Sequence, residues 1–363
     1  MCQEGTGPEP GAGVSRAYAD ESNFVGPAAE RKSQRRGKVK KFLVLALGLL
    51  LIASPEFSLA ADPLKPVRVV IPRASIFVLS YFGARDAGVF KKHGIDIQID
   101  DRPFAGFLAS FPSRDSLVGT YAGLAAIERI NQGSDIVVIG GGLTVMQHVF
   151  VQVDSPIKSM ADLRGKRFGI FSTGAGASKS LRAVVIDGFG FDLLKDTKLV
   201  EAAGPALMGL MGKGELDAMY NLSSLTVSAA AQPEKYRSIF VPDDYWKKKT
   251  GVPIAWSAPI LAWRDWIQED PDRARRTVAA LHESFQWLRE NSDAAIKKYG
   301  VLAGVKTPAE AEVYKKWLKE ERFFLERWDA RALDAQWEFL ELAKRVGVLE
   351  NVPPKEKHAL LLR

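Results

Sequence analysis

Cysteine is almost absent from this chain of 363 residues, which has a single cysteine, Cys2. This excludes an intrachain disulfide and a metal site made of several thiolates. Histidine is also scarce, with four residues and no His-Glu-x-x-His or similar ligand spacing, so we predict no zinc site and no cofactor. His148, which precedes a strand pattern, is the one histidine that we expect near a cleft. A Ser-His-Asp triad stays open on composition alone, and we assign no catalytic residue.

The chain also lacks an apolar run of the roughly 20 residues that a transmembrane helix needs. The apolar run at 42–54 is shorter, follows seven Lys and Arg residues at 31–41, and precedes the small residues Ser58 and Ala60. This pattern predicts a signal peptide at 31–60, cleaved after Ala60, and a periplasmic protein. No cysteine stands at the junction, so we predict no lipid anchor. An uncleaved anchor stays open, as does the choice between the Sec and twin-arginine routes.

Acidic residues are fewer than basic ones, and the net charge is +7. Residues 1–60 hold eight of the 50 basic and six of the 43 acidic residues, so the remainder carries a net +5. Much of the positive charge therefore belongs to the leader, and we predict no nucleic-acid partner. Residues 1–30 are rich in Gly, Ala, Pro and Glu, which predicts a disordered extension.

Strand and helix patterns alternate along the rest of the chain, which predicts an α/β fold with a mainly parallel sheet. Strands are predicted at 67–71, 95–99, 117–119, 136–139, 149–153, 167–171, 198–202, 218–220, 236–241 and 254–261. Helices are predicted at 77–92, 121–130, 160–163, 178–189, 205–212, 221–231, 270–291, 308–324 and 329–346. We expect Gly140–Gly142 to form a bend between lobes and residues 243–249 to form a loop.

Polar residues stand where predicted strands lead into helices, and ligands of open α/β sheets bind at such strand ends. A simple helix cap is the alternative at each position. The loop at 172–178 is rich in Gly and Ser but lacks the Gly-Lys-Ser/Thr of a phosphate-binding loop, so a turn-and-cap role stays open there. The candidate ligand-binding residues are Arg73, Ser75, Thr120, Tyr121, Ser172, Thr173, Gly174, Ser178 and Asn221.

Three segments resemble a known family in their order and spacing: YFGARDAGVFKKHGID at 81–96, ADLRGKR at 161–167 and GELDA at 214–218. Over about 66–350 the chain resembles periplasmic substrate-binding proteins of ABC importers, of the nitrate/sulfonate/taurine type. These proteins belong to the thiamine-pyrimidine-synthase-like domain superfamily. The sequence departs from the family pattern at 111–114, where Phe-Pro-Ser-Arg replaces a Gly-containing turn, and at Tyr121, whose ring is bulky.

The resemblance implies a type II periplasmic binding protein fold, in which a double-crossover hinge joins two α/β lobes. Residues 61–147 and 257–363, including the C-terminal helices, would form lobe 1, and residues 148–256 would form lobe 2. The family's ligand loops fall on the junction residues named above, and Trp256 lies on the segment that returns near the hinge.

The function that follows is a monomeric receptor that captures a small anionic or heteroaromatic solute and delivers it to an ABC permease. An enzyme on the same scaffold, such as a pyrimidine-precursor synthase or a hydrolase, is the alternative from another class. The branch of this fold that makes the thiamine pyrimidine relies on a cysteine cluster, which this chain lacks. A ligand-sensing module for a signalling partner is a third possibility.

Overall fold

The computed structural model of the protein describes residues 63–362. The predicted extension at 1–30, the signal peptide at 31–60 and its cleavage after Ala60 lie outside these residues. Within the described range, no helix is long and apolar enough to cross a membrane. No cluster of three or more His, Cys, Asp or Glu residues suited to a metal ion lies in that range either.

The described chain contains ten strands in three sheets. The strands are β1 Lys65–Pro72, β2 Ile95–Arg102, β3 Val118–Thr120, β4 Ile136–Leu143, β5 Val149–Gln152, β6 Arg167–Ile170, β7 Lys198–Glu201, β8 Ala218–Tyr220, β9 Tyr236–Phe240 and β10 Ala258–Trp263. Every predicted strand is present, with bounds that differ by a few residues. The last one begins later than predicted, because residues 254–257 cross between sheets before β10 starts.

The pairing of the strands shows that the chain crosses between two groups of sheets twice. The first group consists of the parallel pair β1–β2, with Lys65 opposite Ile95, and the antiparallel sheet β3-β10-β4. The second group is the five-stranded sheet β7-β6-β8-β5-β9, in which β6 runs parallel to β7 and β8, and β5 is antiparallel to both its neighbours. The chain leaves the first group between β4 and β5 and returns to it before β10.

Helices cover the sheets and connect most of the strands. The α-helices are α1 Gly83–Asp86, α2 Val89–Lys92, α3 Phe104–Ser110, α4 Gly123–Asn131, α5 Gly176–Phe189, α6 Leu193–Asp196, α7 Gly204–Gly212, α8 Ser223–Ala230, α9 Pro242–Thr250, α10 Arg264–Glu269, α11 Pro271–Glu290, α12 Ser292–Ala303, α13 Pro308–Lys319, α14 Ala330–Arg345 and α15 Lys355–His358. A π-helical turn occupies Val78–Phe82 and a 3₁₀ turn occupies Met160–Leu163.

Three local predictions were wrong, namely the continuous helix at 77–92, the loop at 243–249 and the bend at Gly140–Gly142. The helix predicted at 77–92 is interrupted after α1, because Gly88 adopts a left-handed backbone with φ of +80°. The loop predicted at 243–249 is helix α9. It begins with Pro242, carries acids in its first turn and lysines in its last, and these charges complement the helix dipole.

The glycine triplet Gly140–Gly142 lies inside β4 and does not form a bend between lobes. A β-carbon on Gly141 would collide with the carbonyl oxygen of Leu325, and one on Gly142 with that of Ala258. The glycines therefore allow two backbone segments to lie directly against this strand.

The sequence predicts the C-terminal helices on lobe 1, and in the structure some of them also contact the second group of sheets. Helix α14 also packs on helices of the second group, where Phe339 meets Trp246 edge to face at 5.2 Å and Arg345 pairs with Asp187 at 3.1 Å. Helix α13 reaches α8 through Glu310, which accepts a hydrogen bond from Ser228 Oγ at 2.5 Å. These helices connect the two groups in addition to the crossing segments.

Candidate binding cleft

A cleft of about 680 Å³, its open mouth included, lies between the two groups of sheets. One wall follows the ends of strands and the starts of helices in the first group, and the other wall does so in the second. The two segments in which the chain crosses between the groups, after β4 and before β10, close the cleft. Its lining residues are Pro72, Arg73, Ala74, Ser75, Phe77, Phe104, Phe107, Ala122, Leu143, Gln147, Phe171, Ala175, Gly176, Ala177, Leu222, Ser223, Ser224, Ser257 and Ala258.

Three helices begin at this cleft, α4 on one wall and α5 and α8 on the other. Their N-cap residues are Ala122, Ala175 and Leu222, and no N-cap side chain bonds to the first turn. The first turn of a helix leaves backbone N–H groups without partners inside the helix, and its dipole favours negative charge. The cleft therefore offers N–H donors from both walls to an oxyanion.

The starts of α4 and α5 are brought together on the backbone of the returning segment. A β-carbon on Gly123 would come within 2.7 Å of the Trp256 carbonyl oxygen, and one on Gly176 would collide with the same atom. The same β-carbon on Gly176 would lie 3.1 Å from the amide nitrogen of Gly123. Only glycine fits at these two helix starts, which explains how helices from different groups can begin at one point.

The walls of the cleft are largely apolar and aromatic. Phe104 on α3 and Phe171 after β6 face each other from opposite walls, with ring centroids 6.2 Å apart at 75°. Phe77 and Phe107 are buried beside them. Among the lining residues, Arg73 is the single charged one, and its Nε donates to Asp101 Oδ2 at 2.8 Å.

Gln147 and Ser257 are lining residues that the sequence interpretation missed. They stand on the two crossing segments, and Gln147 Nε2 donates to Ser257 Oγ at 3.4 Å. The side chain of Gln147 is 3% exposed and its Oε1 has no partner. A lone amide inside the apolar run before His148 was the available signal.

Two of the predicted site residues, Arg73 and Ser75, line the cleft. Ser75 Oγ donates to the carbonyl oxygen of Pro72 at 2.6 Å, which fixes the turn after β1. Arg73 is engaged by Asp101, as described above, and its side chain is 59% exposed. Both residues stay predicted ligand-binding residues.

Four other predicted residues are buried and already bonded to the protein, outside the cleft lining. Thr120 Oγ1 accepts from the Tyr81 hydroxyl at 3.4 Å, and the Tyr121 hydroxyl donates to the Leu108 carbonyl at 2.7 Å. Asn221 Nδ2 donates to the Gly204 carbonyl at 2.9 Å, while its Oδ1 accepts from the Leu222 amide at 2.9 Å. Trp256 Nε1 donates to the Gln336 carbonyl at 3.0 Å. These bonds give each residue a structural role.

The predicted residues of the Gly-rich loop lie outside the cleft lining. Thr173, Gly174 and Ser178 line a neighbouring hollow with Lys179 and Arg182, and Ser172 lines neither space. Thr173 binds the protein's own carboxylate Glu201, with its Oγ1 donating to Glu201 Oε2 at 2.8 Å. The part of this loop that reaches the cleft is 175–177.

His148 does not line the cleft, although it follows Gln147 in the chain. Its ring stacks on Trp317 at 4.7 Å and on Phe150 at 5.5 Å, and its Nδ1 lies 2.9 Å from Ser238 Oγ. Burial lowers the pKa of His148 to about 3, and the charge of Arg322 adds to this. The imidazole is therefore neutral at physiological pH and packs as an aromatic ring.

Comparison with known proteins gives the family. The NMT1/THI5-like family model matches residues 78–295. A protein of Brucella abortus described only as a binding protein is 23% identical over 266 residues, 71% of this chain and 77% of its own. The periplasmic aliphatic sulphonate binding protein SsuA from Escherichia coli has a TM-score of 0.63 at 15% identity, covering 81% of this chain and 91% of that one. The desulfurization enzyme DszB has a TM-score of 0.57 at 15% identity, covering 82% and 96%.

The family match covers more than half of the sequence, so this chain belongs to the NMT1/THI5-like family. Its fold is the mixed α/β fold of periplasmic binding proteins, and the predicted resemblance and fold class are confirmed. The likeness to SsuA and DszB, at this low identity, is a likeness of fold. One is a binding protein and the other an enzyme, so function must come from the cleft itself.

Proposed function

We propose that this protein is an extracytoplasmic solute-binding protein that holds a small oxyanion between two lobes and delivers it to an ABC permease. The observation that carries the proposal is the convergence of three helix N-termini, from both groups of sheets, on one cleft. Their first-turn N–H groups supply donors for negative charge without a fixed positive side chain.

The proposed mechanism is differential binding to a closed state. We propose lobes at 61–147 with 257–363 and at 148–256, as the resemblance implies. A ligand that accepts hydrogen bonds from α4 on one wall and from α5 and α8 on the other stabilises the arrangement in which the walls are close. The ligand shifts the equilibrium by its difference in affinity for the open and closed forms.

The descriptions of the relatives support the binding role and the periplasmic location in this proposal. The Brucella protein is described as a binding protein, and SsuA as a periplasmic protein that binds aliphatic sulphonates. By extension from these descriptions, we propose that this chain binds a sulfonate-like oxyanion and is located in the periplasm. N-terminal sequencing of the periplasmic protein should begin at Ala61, and light scattering should give a monomer mass. An N-terminus upstream of Phe42 would contradict the cleaved signal peptide.

Binding without chemistry is the role that the cleft lining supports. The lining residues include serines, but no Asp, Glu, His, Cys, Lys or Tyr side chain that could activate a serine as a general base or act in its place. General acid–base and nucleophilic catalysis depend on such groups. DszB shares the fold, so an enzyme is the alternative that a test must separate from binding.

Mass spectrometry of ligand that co-purifies with the protein from its native periplasm tests the proposal most directly. We expect one small anion, released intact on denaturation, that raises the melting temperature when added back. A ligand present at 100 times its Kd stabilises the folded state by about 2.7 kcal/mol. Conversion of that ligand to a product would favour the enzyme alternative, and a loss of solute uptake on deleting a neighbouring permease gene would support transport.

A further inference from the structure

We propose that the cleft selects an aromatic oxyanion that also carries a hydrogen-bond donor, and that Gln147 recognises this donor. The inference rests on the proposed solute-binding function and names the ligand class for the same site. The polar side chains of the lining differ in whether the protein itself supplies their hydrogen-bond partners.

Two polar side chains of the lining already have partners within the protein. Arg73 is bound to Asp101 and Ser75 to the Pro72 carbonyl. Gln147 differs, because its side chain is 97% buried while its Oε1 has no partner. Its Nε2 donates to Ser257 Oγ at 3.4 Å, and its Oε1 is the end of the amide without a partner. A buried acceptor without a donor is unfavourable, and a ligand that supplies an N–H or O–H removes this penalty.

An oxyanion group alone does not supply that donor. A sulfonate or carboxylate at neutral pH has only acceptor oxygens, which suit the N–H groups of α4, α5 and α8. The same oxygens repel the Gln147 carbonyl. The ligand therefore needs two polar parts, an oxyanion for the helix starts and a separate hydroxyl or N–H for Gln147.

The phenylalanines of the lining indicate the chemical class of the apolar part of the ligand. Phe104 and Phe171 stand on opposite walls, 6.2 Å apart, and both are half-buried in this structure. Phe77 and Phe107 extend the aromatic lining, and the remaining contacts are mostly Ala, Leu and Pro. Aromatic rings prefer edge-to-face or offset contacts at such centroid distances. A flat ring can contact rings on both walls, and a short alkyl chain buries less apolar surface there.

Calorimetric titration with matched sulfonates tests the class. The probes are ethanesulfonate, benzenesulfonate and the three hydroxybenzenesulfonate isomers, each added to the protein freed of co-purified ligand. We expect benzenesulfonate to bind at least about tenfold more tightly than ethanesulfonate. The best isomer should gain about three- to tenfold over benzenesulfonate, which is the contribution of one neutral hydrogen bond.

Gln147→Leu tests the residue, because leucine keeps the approximate bulk and removes the amide. In this variant the best isomer should lose its advantage over benzenesulfonate, while benzenesulfonate itself binds within about twofold of wild type. Gln132→Leu is the matched control, since Gln132 is exposed on the surface and does not line the cleft. If Gln147→Leu does not fold, the isomer series on the wild type still decides the point.

The outcomes separate this inference from the proposed function. Ethanesulfonate binding as tightly as benzenesulfonate would overturn the aromatic class and leave oxyanion binding intact. An unchanged isomer preference in Gln147→Leu, or a large loss of benzenesulfonate affinity in that variant, would overturn the donor role of the ligand. Binding by none of the sulfonates, with no anion co-purified, would instead contradict the proposed function.

Discussion

Backbone N–H groups receive no capping bond from the N-cap side chains at the cleft, whereas side chains bind the backbone of the segment that closes the cleft. At the cleft, α4, α5 and α8 begin with apolar N-cap residues and receive no capping hydrogen bond from them. A few residues away, at 253–256, side chains from two helices bind the backbone closely. The amide of Ile254 donates to Asp243 Oδ1 at 2.6 Å, and the amide of Ala255 donates to Gln336 Oε1 at 2.8 Å.

The difference shows which polar groups support the fold and which are available to a ligand. Gln336 also donates to the Pro253 carbonyl at 2.8 Å, so one buried side chain holds both sides of the returning segment. An N-cap without a side-chain bond is not by itself special, since Ala203 at the start of α7 is another. What distinguishes the cleft is that three such helix starts face one space.

The largest effect on stability is expected from Gln336→Leu. The substitution leaves the Ala255 amide and the Pro253 carbonyl without partners, and each buried orphan group costs about 1–3 kcal/mol. We expect the free energy of unfolding to fall by about 2–4 kcal/mol, measured by chemical denaturation. Gln98→Leu, at an exposed position of β2, should change it by less than about 0.5 kcal/mol. Equal effects of the two substitutions would show that the paired region does not stabilise the fold in this way.

A capping residue at the cleft is expected to act on affinity instead. Ala175→Asp places a carboxylate at the N-terminus of α5, where it can accept the first-turn hydrogen bonds and repel an anion. We expect affinity for the co-purified anion to fall about 100-fold, or about 2.7 kcal/mol.

Ala203→Asp is the matched control, because it makes the same change at the start of α7 outside the cleft lining. It should leave the affinity unchanged. A similar loss of affinity in both variants would mean that net charge, and not the position of the helix start, determines binding.

A change in the pH dependence of stability is expected from Asp243→Asn. Burial raises the pKa of Asp243 to about 7, although its hydrogen bond from Ile254 acts in the opposite direction. The folded protein therefore binds more protons than the unfolded chain between about pH 4 and pH 7, and stability falls as the pH rises through that range. Asparagine keeps the acceptor and does not titrate.

The variant should therefore lose less stability than wild type between pH 4 and pH 7 in denaturation measured at several pH values. Burial also raises the pKa of Glu326 to about 7, so part of the wild-type slope should remain. Asp244→Asn, at the exposed neighbouring position, is the control and should keep most of the slope, because the charge of Asp244 raises the pKa of Asp243 less than burial does. An unaltered slope in Asp243→Asn would indicate that Asp243 is ionised without cost in the folded protein.

The sequence predicts the strands well because apolar β-branched runs and their Pro and Gly boundaries are local signals. Ala218–Tyr220 has the predicted bounds, and Val118–Thr120 differs by one residue. Helix α9 was missed because its polar, charged sequence has no apolar periodicity, although its end charges favoured a helix. The break at Gly88 depends on one residue with positive φ inside a pattern of helical spacing.

The sequence predicts the site at strand-to-helix junctions, and the residues that line the cleft lie slightly further along the chain. Thr120 and Tyr121 precede Ala122, and Asn221 precedes Leu222–Ser224, which line the cleft. The strand ends turn inward to hold the junction together, while the helix starts face the space. At Gln147 the local sequence shows only a lone amide in an apolar run, because the pairing that leaves its oxygen without a partner involves Ser257, 110 residues away in the chain.

The contact of Gly123 and Gly176 with the Trp256 backbone has a mechanical consequence for the proposed closing motion. Two helices meet there without a β-carbon between them, and under the proposed function this point would act as the fulcrum of the closing motion. Atoms near a fulcrum move little in a rotation, and atoms far from it move in proportion to their distance. The helix starts can therefore hold a ligand with small displacements while the outer edges of the cleft travel furthest. Under the proposed function, occupancy of the cleft would be amplified at the rim, where a transport partner could detect it.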